Sequence, residues 1–228
     1  MRNVLSGLIV LLAVQVPLFA QKTDDKIADR LYESAKVFGE LMNAPDGGAP
    51  KKVLKDAECI AVIPAVKKAA LGIGGTYGRG AVACRKDGGK GPWGPPSMIA
   101  LGGGSVGFQI GGASTDIVML FMTPESVQRL LKDKVTLGAD ASAAAGPVGR
   151  EISAQTSATL RAEILTYGRS RGAFAGISLK GAILSPDKDA NKSIYGKEVA
   201  AKDLLVAGNM PIPEPARKLI EAFTAAGK

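Results

Sequence analysis

"PWGPPSMIALGGGSVGFQIGG", residues 92–112, is the stretch whose reading decides the fold. It packs six glycines into the twelve positions from Leu101 to Gly112. A run like this either cradles a phosphate or belongs to a sheet. Gly102, Gly104 and Gly107 satisfy G-x-G-x-x-G. A phosphate site needs more: the glycines must end a strand and open a helix whose N-terminal amides take the anion. The chain continues instead with "VGFQIGG" and then "TDIVMLFM", both of which read as strand. It also has no G-x-x-x-x-G-K-[ST] loop. Nucleotide binding is therefore not expected.

The sheet reading extends outward to two more segments. From Ser105, residues Ser105, Gly107, Gln109 and Gly111 alternate with Val106, Phe108 and Ile110, the period of a strand. In "GIGGTYGRGAVAC", Gly72, Gly74, Thr76, Gly78, Gly80, Val82 and Cys84 share one face. In "RGAFAGISLKGAIL", Ala173, Ala175, Ile177, Leu179 and Ile183 form the apolar face against Gly172, Phe174, Gly176 and Ser178. Glycine inside a strand marks close backbone approach, a bend or a bulge. Three such segments predict an α+β fold with a curved antiparallel Gly-rich sheet, barrel-like in its curl. Another layer presses on the glycine side and helices pack on one side.

Helices are expected around this sheet. Residues 24–42, "DDKIADRLYESAKVFGELM", space Ile27, Leu31, Ala35, Phe38, Leu41 and Met42 at helical intervals, with Thr23 or Asp24 to cap. A short helix comes next at "PKKVLKDA", and "KDGGKG" is a turn. In "TPESVQRLLKD", Thr123 caps and Pro124 takes the first turn, so that Val127, Leu130 and Leu131 face inward. "TLGADASAAAGPVGRE" reads as strand plus loop. The tail holds a short helix near Lys202–Val206 and, after "MPIPEPA", a final helix through Phe223.

Residues 1–20 read as a secretory signal: Arg2, the apolar "LIVLLAV", and Ala20 at the cleavage point. Residues 21–228 then form one domain, its core about 24–200 and its helical tail 201–228. The protein is expected to be exported, periplasmic or secreted, and peripheral to a membrane. In such a compartment Cys59 and Cys84 are expected to pair, although two buried thiols are the alternative.

Chemistry is bounded by what is missing. The chain has no histidine, which removes Ser-His-Asp and Cys-His activation and every His-based zinc site. With no histidine to activate a serine or cysteine, no enzyme is expected. The net charge of +8 is concentrated instead. Residues 51–90 carry nine cationic side chains, among them Lys51, Lys52, Lys55, Lys67, Lys68 and Arg79, against three acids, a surplus of six. Such a cluster suits an anionic partner, or is simply a solvated surface. Few aromatics interleave it, which disfavours nucleic acid. A second constellation, "DKDANKSIYGKE", sets Asp187, Asp189, Asn191, Ser193 and Glu198 at EF-hand-like spacing for calcium. Lys192 stands where the turn needs glycine, and Asp and Asn are common in plain turns, so no cofactor is assigned.

The ordered set "GPWGPPSMIALGGGSVGFQIGG", "TDIVML", "VTLGADASAAAGPVGRE", "YGRSRGAFAGISLKGAIL" and "DANKSIYG" resembles the SYLF domain over roughly residues 24–200. The resemblance implies a non-catalytic module that binds phospholipids, with phosphoinositide preference and actin binding among eukaryotic members. It also implies lipid contact by the first helix, through Lys26 and Arg30 with Ile27, Leu31 and Phe38. That helix carries a net charge of minus two, counting Asp24, Asp25, Asp29, Glu33 and Glu40 against Lys26, Arg30 and Lys36. An interfacial helix wants a basic polar face, so packing on the core competes with insertion. The expected ligand surface is therefore the basic stretch Lys51–Arg79, and the expected partners are anionic membrane lipids. A protein-interaction module of the envelope, actin-binding-like, is the second reading.

Overall fold

The computed structural model describes residues 25–44, 48–71, 73–106, 111–148, 161–170 and 172–227, without the side chains of 69–74 and 105–113. The expected signal at 1–20 and most of the alternation from Ser105 to Gly111 fall outside this description. The helices are α1 (Asp25–Asn43), α2 (Lys51–Asp56), the single turn α3 (Lys86–Gly89), α4 (Pro124–Leu130), α5 (Lys188–Tyr195), α6 (Ala201–Leu205) and α7 (Arg217–Ala226). The long strands are β1 (Cys59–Leu71), β2 (Ile73–Cys84), β3 (Ser97–Val106) and β4 (Gly111–Phe121). The shorter ones are β5 (Val135–Thr136), β6 (Ala143–Ala145), β7 (Ile164–Ser170), β8 (Ala173–Gly176) and β9 (Ile183–Pro186).

All nine described strands belong to one sheet, in the order β5-β9-β3-β2-β1-β4-β7-β6, with β8 also on β7. Pairing is antiparallel except for β6 on β7. The connections force this sheet to curl. β5 and β6 sit at opposite ends of the strand order, seven gaps apart, or about 34 Å if flat. The chain from Thr136 to Ala143 reaches about 25 Å at most. A flat sheet cannot satisfy both. The link from β8 to β9 makes the same crossing, so two segments span the open side of a half-barrel.

Curvature is built into β1. Between Ile63 and Val66 it carries one residue more than either neighbour, a bulge shared by both ladders. Pro64 lies in this bulge, the place where a central strand tolerates a residue without an N–H. Ala65 takes a φ of 48° and donates its N–H to Asp116 Oδ1 at 2.8 Å. The glycines of β2 make room for the bulge. A Cβ on Gly80 would lie 2.0 Å from the Val62 carbonyl oxygen, and one on Gly78 2.6 Å from Val66 Cγ2. The glycine face thus serves close approach by the neighbouring strand.

Two cores lie on the two faces. On the convex side α1 buries Ile27, Leu31, Val37, Phe38 and Leu41 against the sheet and α7. Phe38 meets Phe223 edge-on at 4.8 Å, and Trp93 packs beside the same ring at 5.1 Å. Inside the curl, Ile63, Val66, Val82, Ile117, Met119 and Leu184 form the second core. It is closed by Val127 and Leu130 of α4 and by Leu204 and Leu205 of α6. Helices therefore cover both faces, not one. Thr123 caps α4 as expected, accepting the Ser126 N–H at 3.2 Å.

The segment 172–183 departs from its expected pattern. Phe174 is buried while Ala173 and Ala175 are exposed, and Ile183 is exposed beside buried Leu184. The alternation spans two strands, β8 and β9, with a crossover between them, so one period cannot run through it. Only Ile177 and Leu179 turn into the concave core as expected.

Candidate binding surface

The expected basic surface divides in two. Lys51, Lys52 and Lys55 are exposed on α2, which ends just before β1 begins. Lys67 and Lys68 are exposed near the far end of β1, about 26 Å along the strand from Cys59. These two also point to opposite faces. Lys67 pairs with Tyr77 on the convex side, and Lys68 with Thr76 on the concave side. Among the described residues none of these five lysines makes an ion pair.

Arg79 and Arg30 converge on one carboxylate. Asp187 Oδ2 stands 3.5 Å from Arg30 Nη1 and 3.5 Å from Arg79 Nε. Arg79 Nε also donates to the Tyr77 hydroxyl at 2.5 Å, and these two contacts hold its guanidinium above its ordinary pKa. The Asp187 side chain is nearly buried, and its Oδ1 accepts the Ala190 N–H at 3.3 Å, capping α5. One acid thus ties α1, β2 and α5 together.

The calcium-like spacing falls on a helix, residues 188–195, with Asp187 as its N-cap. Asn191 is buried and clamps β3: it accepts the Met98 N–H at 2.7 Å and donates to the Met98 carbonyl at 3.1 Å. Glu198 pairs with Lys192. Among the described residues no three Asp, Glu, Cys or His side chains gather as a metal site. Ile27, Leu31 and Phe38 of α1 are likewise spent in the core, so in this arrangement the helix has no apolar face to insert. Lys26 is exposed on its outer side.

Cys59 and Cys84 are joined by a disulfide and pair directly across β1 and β2. The Arg85 N–H bonds to the Glu58 carbonyl at 2.8 Å, so the cysteines occupy the adjacent non-hydrogen-bonded position, where side chains come closest.

A cleft of about 300 Å³ opens inside the curl, at the Lys68 end of the sheet. Its apolar wall includes Ile117, Ile177 and Leu179. Thr76, Thr115, Ser170 and Ser178 add hydroxyls, of which Thr115 and Ser170 bond each other at 2.8 Å. Among the described residues two cations, Lys68 and Lys180, line it, and no acid does. Lys180 was not singled out in the sequence because it lies 112 residues from Lys68 and outside the basic stretch. Only the crossover between β8 and β9 brings them to one cleft.

The described residues thus form a curled sheet with a lysine-lined cleft inside the curl and exposed lysines toward both ends. The sequence comparisons name its family. The model of the Ysc84 family, described as "Las17-binding protein actin regulator", matches residues 102–226, more than half of the chain. The chain belongs to this family, the one with the SYLF domain. It is 36% identical over 199 residues to the SH3 domain-containing YSC84-like protein 1 of Rattus norvegicus, covering 85% of this chain and 57% of that protein. It is 38% identical over 179 residues to an SH3 domain-containing protein of Schizosaccharomyces pombe, covering 77% and 41%. It is 32% identical over 207 residues to the LAS seventeen-binding protein 3 of Saccharomyces cerevisiae, covering 88% and 44%. The chain spans about half the length of the relatives it matches. The last of these is named as a binding protein, and the family as an actin regulator.

Proposed function

We propose that this chain is a non-catalytic module that binds anionic phospholipid surfaces through the open end of its curled sheet. The observation that carries the reading is the cationic end itself. Lys67 and Arg79 stand beside exposed Tyr77 on the convex face, and Lys68 and Lys180 on the concave one. A tyrosine among lysines and arginines suits the headgroup layer, with its ring toward the apolar side. The paired cysteines fit an oxidising compartment, so an exported protein meeting an envelope membrane is part of the proposal.

Sedimentation with vesicles tests it. Vesicles containing phosphatidylglycerol are expected to bind the protein, pure phosphatidylcholine vesicles are not, and rising salt weakens the interaction. A lysine near such a surface is worth about 1 kcal/mol, so removing both Lys67 and Lys68 costs about thirtyfold in affinity. Reversing Lys51, Lys52 and Lys55 is expected to cost less. The opposite order would move the site to α2, and a loss confined to Lys26→Glu would move it to α1.

The relatives' names favour a second reading, a protein partner of the actin or Las17 kind. Co-sedimentation with actin filaments in the absence of vesicles is its direct test.

A further inference from the structure

We infer that the cleft inside the curl is a site for an anionic amphiphile with a single apolar chain, of the fatty-acid or lysophospholipid class. The inference rests on reading this end of the sheet as the anion-facing end.

The cleft is about 300 Å³, at the small end of ligand pockets, with room for a head and part of one chain. Its wall of Ile117, Ile177 and Leu179 is apolar and attracts hydrocarbon. Lys68 comes from the sheet and Lys180 from the crossover, and neither has an ion-pair partner among the described residues. An anionic head between them completes both charges, while a neutral head leaves them as they are.

The crossover is held in place before any ligand arrives. The Gly181 N–H bonds to the Leu137 carbonyl, and the Leu137 N–H to the Ala182 carbonyl, both at 2.8 Å. Lys180 lies over Gly138, where a Cβ would come within 2.8 Å of its Cγ. Ile177 fills the space that a side chain on Gly168 would take. A pocket fixed in this way spends little of its binding free energy on ordering.

Calorimetric titration of the full chain with three probes below their micellar concentrations tests the site. Dodecyl phosphate is expected to bind one to one. Inorganic phosphate, which lacks the chain, and dodecyl maltoside, which lacks the charge, are expected to bind at least tenfold more weakly. Lys180→Ala should weaken dodecyl phosphate about tenfold, the loss of one charge-assisted contact. Thr76→Trp, which fills the cleft without changing charge, should abolish binding. Equal binding of the maltoside, or of free phosphate, overturns the inference, as does dodecyl phosphate binding that is indifferent to Lys180→Ala. Vesicle binding without saturable dodecyl phosphate binding removes the cleft and leaves the surface reading standing. Dodecyl phosphate binding without vesicle binding keeps the cleft and removes the bilayer. Absence of both removes the shared premise.

Discussion

Replacing Gly80 by alanine should damage this protein far more than the same change at Gly102, although both glycines lie in central strands. On Gly80 the new methyl carbon would stand 2.0 Å from the Val62 carbonyl oxygen and 2.7 Å from Ile63 Cα. Carbon and oxygen ordinarily approach to about 3.3 Å, so β1 would have to withdraw by about 1.3 Å. Both neighbours are backbone, and no side chain can swing aside. A shift of that size breaks the adjacent β1–β2 hydrogen bonds, at about 1 kcal/mol each, and adds about 1–3 kcal/mol of overpacking. The expected total is about 4 kcal/mol, a large part of a typical domain's stability. A Cβ on Gly102 or Gly75 meets nothing within 4 Å, so alanine there should be neutral or slightly stabilising. Urea unfolding of the three variants reads this directly. With a slope of about 2–3 kcal/mol/M, Gly80→Ala should lower the midpoint by about 1.5 M and leave the slope unchanged. A Gly80→Ala midpoint within about 0.3 M of the Gly102→Ala midpoint, on the same slope range, would refute the close-approach argument.

Asn191→Ala should destabilise by about 2–3 kcal/mol, because it leaves the Met98 N–H buried without a partner. A calcium-dependent rise in melting temperature, lost in this variant, would instead restore the ligand role. Ala65→Gly should stabilise by about 0.5–1 kcal/mol, since a φ of 48° strains any residue with a Cβ; an unchanged urea midpoint would count against a strained bulge. Burial pushes the Glu163 carboxyl up, but the Ser142 N–H and the Arg129 guanidinium outweigh it and hold the group below its ordinary 4.5. Its stabilising contribution is therefore present above pH 4.5 and lost as pH falls through the lower folded value, so Glu163→Gln should flatten the acid limb of a stability–pH curve. Equal acid limbs for the two proteins would sink that assignment.

Local rules were legible in the sequence, and long-range placement was not. The α1 stripe, the Thr123 cap and the alternation of β2 from Thr76 to Cys84 come from spacing alone, and each stands as expected. The family was legible for the same reason, because its motifs run in order along the chain. The basic stretch divides because adjacency in sequence is not adjacency in space. Thirteen residues of β1 separate one end of the sheet from the other, and Lys67 and Lys68 diverge because strand neighbours face opposite ways. "DKDANKSIYG" carries a ligand-like spacing, and an N-cap leading into a short helix uses the same residues. Nothing local distinguishes Asp187 as the meeting point of Arg30 and Arg79, which stand 157 and 108 positions away.

The seating of α1 against α7 sets a clock on the newly made chain. Phe38 finds its partner ring in Phe223, 185 residues later. At about 5–20 residues per second, synthesis takes roughly 9–37 s to supply it. Throughout that interval the stripe of Ile27, Leu31, Phe38 and Leu41 lacks the helix that seals it. The first of the described helices to emerge is thus sealed by the last of them, and whatever holds the nascent chain must shield one greasy helix face until α7 arrives.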